Sequence, residues 1–81
     1  MEILTQSKCE IVRNYDRIYL EVYPQVGDKC GFCNIVAMPS NPNATEIVLG
    51  GYENEERAQA VIKAMARHIG LGLHMFRMPE K

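Results

Sequence analysis

Residues 17–23 alternate cleanly between apolar and polar positions: Ile18, Leu20 and Val22 fall on one side, and Tyr19, Glu21 and Tyr23 on the other. A period of two places successive side chains on opposite faces of a strand, so this is the pattern of a half-buried antiparallel strand. Two shorter β-prone segments precede it, residues 2–5 and 9–13. They are separated by the polar Gln6-Ser7-Lys8 and followed by the turn formers Asn14-Tyr15-Asp16, an order that predicts a meander. Residues 32–38 are apolar apart from Asn34, which predicts a central strand covered on both faces. Gly27-Asp28 marks the turn before it. Pro39-Ser40-Asn41-Pro42-Asn43 after it cannot continue a ladder and predicts an exposed loop. Residues 45–49 are rich in β-branched side chains and run into Gly50-Gly51, where a bulge or tight bend is expected.

The period then changes. Asn54 is a favourable N-cap, and Glu55 and Glu56 place negative charge in the first turn of a predicted helix spanning residues 54–69. Ala58, Val61, Ile62, Met65, Ala66 and Ile69 recur at helical spacing as one apolar stripe, with Arg57, Gln59, Lys63 and Arg67 expected to face water. Gly70 and Gly72 supply the stop, and residues 73–78, between a glycine and Pro79, fit a last short strand that pairs with the sheet. The fold class expected is α+β: an antiparallel, strand-rich sheet, a meander of about five strands, packed against one C-terminal helix and followed by a short last strand.

Size and composition narrow this picture. The chain has 81 residues, enough for one domain spanning residues 1–81 but not two. With 47% hydrophobic and 23% charged residues it has the composition of a folded domain rather than a disordered one. A core of this size is modest, so association into a homodimer would bury further apolar surface. Nine Lys and Arg against ten Asp and Glu leave a formal charge of -1 without a basic run, which disfavours generic nucleic-acid binding. Lys63 and Arg67, one helical turn apart, read as a solvated helix face that complements the helix dipole; with Arg77 they form the basic set a nucleic-acid module would use. No window reaches the apolar length of a membrane span, and residues 1–6 lack the pattern of a secretory signal, so no membrane contact and a cytoplasmic location are expected. In that compartment the sequon Asn43-Ala44-Thr45 carries no glycan.

The sharpest chemical pattern is Cys30-Gly31-Phe32-Cys33, a spacing that lets two thiolates share a metal ion or form a redox disulfide. A structural zinc site needs four ligands, and the other candidates are Cys9, His68 and His74, which are scattered over the chain. A thioredoxin-like motif opens a helix, whereas here the β-prone Asn34-Ile35-Val36-Ala37 follows, so two ordinary thiols are expected. His68 and His74 have no Ser, Cys or Asp at a spacing that forms a catalytic pair, and Glu53, Glu55 and Glu56 are accounted for by the helix start. Gly50-Gly51 lacks the third glycine and the lysine of a nucleotide-binding loop. No catalytic residue, cofactor site or metal site is therefore assigned. Tyr15, Tyr19, Tyr23 and Tyr52 are numerous for so short a chain, and Tyr19 and Tyr23 share a strand face suited either to packing or to contact with another protein.

The segments Ile3-Leu4-Thr5-Gln6-Ser7, Leu49-Gly50-Gly51-Tyr52, Glu56-Arg57-Ala58 with Val61, and Phe76-Arg77-Met78-Pro79-Glu80 resemble short uncharacterised proteins of phages and prophages of Gram-positive bacteria. This chain departs from their pattern in carrying Thr5-Gln6 where Ser-Gln is usual, and in Cys30-Gly31-Phe32-Cys33. The resemblance implies a strand-rich first part, one helix and a last strand. It implies no activity and no site residues. The function expected is that of a non-enzymatic phage or prophage accessory protein acting as a protein-interaction module, with a small metal-binding or thiol-redox protein on Cys30 and Cys33, or a nucleic-acid-binding module, as alternatives.

Overall fold

The computed structural model describes residues 1–27 and 31–81. Its element order is β1 (Glu2–Leu4), β2 (Ile11–Val12), β3 (Tyr15–Tyr23), β4 (Phe32–Pro39), β5 (Ile47–Tyr52), α1 (Glu55–Gly70) and β6 (Met75–Arg77). This is the α+β class expected: largely antiparallel strands, one C-terminal helix and a short last strand. The strands divide into two three-stranded sheets, one ordered β2-β1-β6 and the other β3-β4-β5. Pairing is antiparallel throughout except between β1 and β6, where Ile3 lies opposite Phe76 in a parallel register. The intervening helix makes that parallel return possible, since parallel neighbours need a long crossover.

β3 begins two residues earlier than its alternation indicates. Tyr15, expected in a turn, instead pairs with Pro39, and the register slips between Tyr15 and Arg17 so that Asp16 is an extra residue in the strand. The second slip falls in β5. Ile35 faces Gly50 while Val36 faces Val48, leaving Leu49 as the bulged residue immediately before the expected Gly50-Gly51 irregularity. The loop after β4 is exposed as expected, and Asn41 nucleates it by accepting the Asn43 amide on Oδ1 at 3.0 Å.

The inner face of β3-β4-β5, the inner side of β2-β1-β6 and α1 share one hydrophobic cluster that includes Ile3, Val12, Cys33, Ile35, Leu49, Tyr52, Val61, Met65 and Phe76. Within the helix the stripe is narrower than its spacing predicts: Ala58, Val61 and Met65 are buried and Ile62 half-buried, but Ala66 and Ile69 are exposed. Three longer strands and three short ones are too small a surface to cover the last turn of a 16-residue helix.

The caps explain the helix ends. Asn54 sits in extended conformation and its Oδ1 accepts the Arg57 amide at 2.7 Å, with Glu55 and Glu56 in the first turn. At the other end Gly70 is still helical. The stop is Gly72, at φ +72°, whose amide donates to the Ile69 carbonyl while the Leu73 amide donates to the His68 carbonyl. That reciprocal pair is the Schellman arrangement, and it needs a residue tolerant of the left-handed region at this position.

β4 departs from its expected environment. Its inner residues Cys33, Ile35 and Ala37 are buried, but on the outer face only Val36 is buried, and Phe32 remains 46% exposed. The apolar run indicates cover on both sides, yet among the described residues no element packs on the outer face beyond the side chains of the sheet itself.

Candidate functional site

Two places on the molecule gather polar side chains with aromatic ones. The first is the outer face of β3-β4-β5. The alternation of β3 sends Arg17, Tyr19, Glu21 and Tyr23 to this face, opposite Met38, Val36, Asn34 and Phe32 of β4. Val48 of β5 joins them opposite Val36. The rings of Tyr23 and Phe32 stack with centroids 4.6 Å apart and 18° between planes, an offset-stacked aromatic pair at a directly paired position. Both rings remain more than 40% exposed, and Val48 is 54% exposed.

The hydroxyls of this face are spoken for. Tyr19 donates to the Glu46 carboxylate, and Tyr23 donates to Glu21 at 2.5 Å. The hydrogen bond to Glu46 pushes the Tyr19 phenol up to about 12, because ionising it would set two anions against each other. The same bond holds the Glu46 carboxyl below the usual carboxylate range, and Glu21 raises the Tyr23 phenol in the same way. The Arg17 guanidinium lies over the Tyr19 ring, 4.9 Å from its centroid. Among the described residues, neither Arg17 nor Glu21 forms an ion pair. An apolar, aromatic centre bordered by charges of both signs can contact another macromolecule.

The second place is a junction centred on Gln6. Its Oε1 accepts the Gly51 amide at 2.9 Å, and its Nε2 reaches the carbonyls of Gly51 at 3.1 Å, Pro79 at 3.1 Å and Glu80 at 2.8 Å. The Tyr52 hydroxyl donates to the same Pro79 carbonyl at 2.8 Å, Lys8 pairs with Glu80 at 2.7 Å, and Arg57 Nε donates to the Lys81 carbonyl at 2.7 Å. Burial pushes the Tyr52 phenol up to about 12. Close approach favours glycine here: a Cβ on Gly50 would lie 3.0 Å from the Tyr52 hydroxyl and 3.2 Å from the Gln6 Cβ, so both side chains would have to give by a few tenths of an ångström. Beside the junction lies a pocket of about 350 Å³ lined by Gly51, Tyr52, Glu53, Arg57, Glu80 and Lys81. Every polar group at its centre already has a partner within the chain, so the junction reads as a structural clasp. Gln6, Gly51, Tyr52, Arg57, Pro79 and Glu80 come from the four segments of the resemblance noted above, and no local pattern in the sequence indicates that Gln6 joins the others.

The other candidates do not converge. Cys30 lies outside the described residues, as do Asp28 and Lys29, so the pairing of Cys30 with Cys33 is not on view. Cys33 is buried in the core, where loss of hydration, with Glu55 adding to it, raises its pKa and keeps it a thiol. Cys9 is exposed and its thiol contacts the Ser7 carbonyl at 3.5 Å. His68 is engaged at the helix end: its Nε2 meets the Met75 carbonyl, and its ring stands edge-on to Phe76 with centroids 5.2 Å apart. His74 is exposed. Among the described residues no three His, Cys, Asp or Glu side chains gather as a metal site would require. Lys63 and Arg67 are exposed on α1 and Arg77 on β6. Among the described residues no helix is long and apolar enough to cross a membrane. Set against protein-family models, curated proteins and solved structures, the chain matches none.

Proposed function

We propose that this protein is a non-enzymatic interaction module, an accessory protein of a phage or prophage acting in the bacterial cytoplasm, and that its contact surface is the outer face and open edge of β3-β4-β5. The observation that carries the reading is the stacked Tyr23–Phe32 pair, exposed beside Val48 on a sheet face that no other element covers among the described residues. Exposed aromatic and apolar side chains in one patch are what protein interfaces are enriched in, and small domains seldom leave them bare without use. The partner is a protein offering a strand edge and apolar side chains, bordered by a carboxylate to meet Arg17 and a cation to meet Glu21. The phage or prophage setting is supported by the resemblance of the terminal and central segments.

The test is interaction mapping with substitutions on the two sides of the domain. Phe32→Ser and Tyr23→Ala, both at exposed positions, are expected to abolish association with the partner that the unaltered protein captures, while Lys63→Glu on the helix leaves it unchanged. Hydrogen exchange in the complex should slow on β3 and β4. Association that survives both sheet substitutions with no protection there would remove this reading.

A further inference from the structure

The outer edge of β3 and the order of its side chains say more about that partner. Among the described residues β3 is hydrogen-bonded only to β4, so its other edge presents unpaired backbone donors and acceptors. An edge of this kind is a template for another strand. β3 is nine residues long, and its pairing to β4 is regular from Arg17 to Tyr23, after the slip at Asp16. Within that stretch Arg17-Ile18-Tyr19-Leu20-Glu21 reads as cation, aliphatic, tyrosine, aliphatic, anion.

That order is self-complementary. Resting on the reading that this sheet is a protein-contact surface, we infer that the partner is a second copy of the chain, joined by antiparallel pairing of the two β3 edges about a two-fold axis at Tyr19. In this register Arg17 lies directly across from Glu21 of the partner subunit and Glu21 from Arg17 of the partner subunit, both pairs on the outer face. Ile18 falls opposite Leu20 of the partner subunit, twice, on the inner face. Directly opposed residues in antiparallel strands bring their Cβ atoms to about 5 Å, within reach of an ion pair and of aliphatic contact.

Neighbouring registers lose the match. Centring the axis on Ile18 sets Arg17 against Tyr19, and centring it on Leu20 sets Arg17 against Tyr23; shifts of the other parity turn the inner face outward. Only the Tyr19 centre satisfies both charges, which have no ion-pair partner among the described residues. It also covers Ile18 and Leu20, half-buried residues that pack at the margin of the core, and extends β3-β4-β5 into a six-stranded sheet without an exposed β3 edge. For a small domain the additional burial is a substantial gain.

The experiment is sedimentation velocity across a concentration series for the unaltered protein and for Arg17→Glu and Glu21→Arg, with circular dichroism confirming that each variant folds. The unaltered protein is expected to dimerise. Each single substitution sets like charges across both symmetric positions and should weaken self-association by about ten-fold or more. An equimolar mixture of the two variants should recover a heterodimer, because every cross-strand pair is then Glu against Arg. A protein that stays monomeric at every concentration overturns the inference while leaving the contact-surface reading to its own test on Tyr23 and Phe32. A dimer indifferent to either substitution, or a mixture that fails to recover, also overturns it.

Discussion

Replacing Gln6 by alanine removes more than its half-exposed position would indicate. The side chain bridges β1, the Gly51 backbone and residues 79–80, which lie 45 to 74 positions away in the chain. Its Nε2 carries two hydrogens for three carbonyls, so it makes two full bonds at a time, and Oε1 makes a third with the Gly51 amide. At about 1 kcal/mol net for each bond, reduced because water reaches the exposed carbonyls of Gly51 and Glu80, the expected loss is about 2 kcal/mol. A domain of this size is stable by roughly 4–12 kcal/mol, so the substitution takes a sizeable fraction and lowers Tm by about 8–16 °C. Urea denaturation followed by circular dichroism measures it, with the slope unchanged if the native and unfolded states keep their compactness. Gln6→Glu is the control. It keeps an acceptor for the Gly51 amide but faces three carbonyl oxygens with a carboxylate, so its folded-state pKa is raised and its stability deficit shrinks as the pH falls and the group protonates. A loss below about 0.5 kcal/mol for Gln6→Ala would refute the clasp, since one neutral bond alone is worth that much.

Tyr52→Phe removes the second donor to the Pro79 carbonyl and should cost about 1 kcal/mol; combined with Gln6→Ala the losses should depart from additivity by at least about 0.5 kcal/mol in a double-mutant cycle, because both side chains hold that oxygen. Gly31→Ala forces a Cβ to within 2.9 Å of the Gln25 nitrogen and the Tyr23 carbonyl oxygen, backbone atoms that cannot swing aside, and is expected to destabilise by about 2 kcal/mol in the same urea assay. Tyr19 and Tyr52 hold their phenols up to about 12, above the unfolded value, so the stability they confer is complete below pH 10 and lost as the pH rises from there through about 12. Tyrosinate absorbance should therefore rise late and together with loss of far-ultraviolet dichroism; a transition of all four tyrosines at their ordinary value with the fold intact would contradict the assignment. A thiol reagent added to the native protein should modify Cys9 at once and Cys33 only at the rate of opening, measured by mass spectrometry of the two peptides.

Local pattern carried a good deal of this molecule. The helix was legible because its determinants lie within a few residues of one another: the Asn54 side chain reaches an amide three positions away, and the glycine at 72 frees the backbone where the helix must end. The alternation of β3 was legible for the same reason, since each side chain's face follows from the pleat of its own backbone. What alternation could not reveal is whether a face is covered. β4 is apolar on both sides, yet only its inner side meets the helix and the other sheet, because covering the outer side depends on how many elements the chain has to spare. Nor could it reveal the division of the strands into two sheets, the parallel pairing of β1 with β6, or the meeting of Gln6, Gly51, Tyr52 and Pro79. Those rest on contacts between residues far apart in sequence, selected by packing of the whole core rather than by the preferences of neighbouring residues.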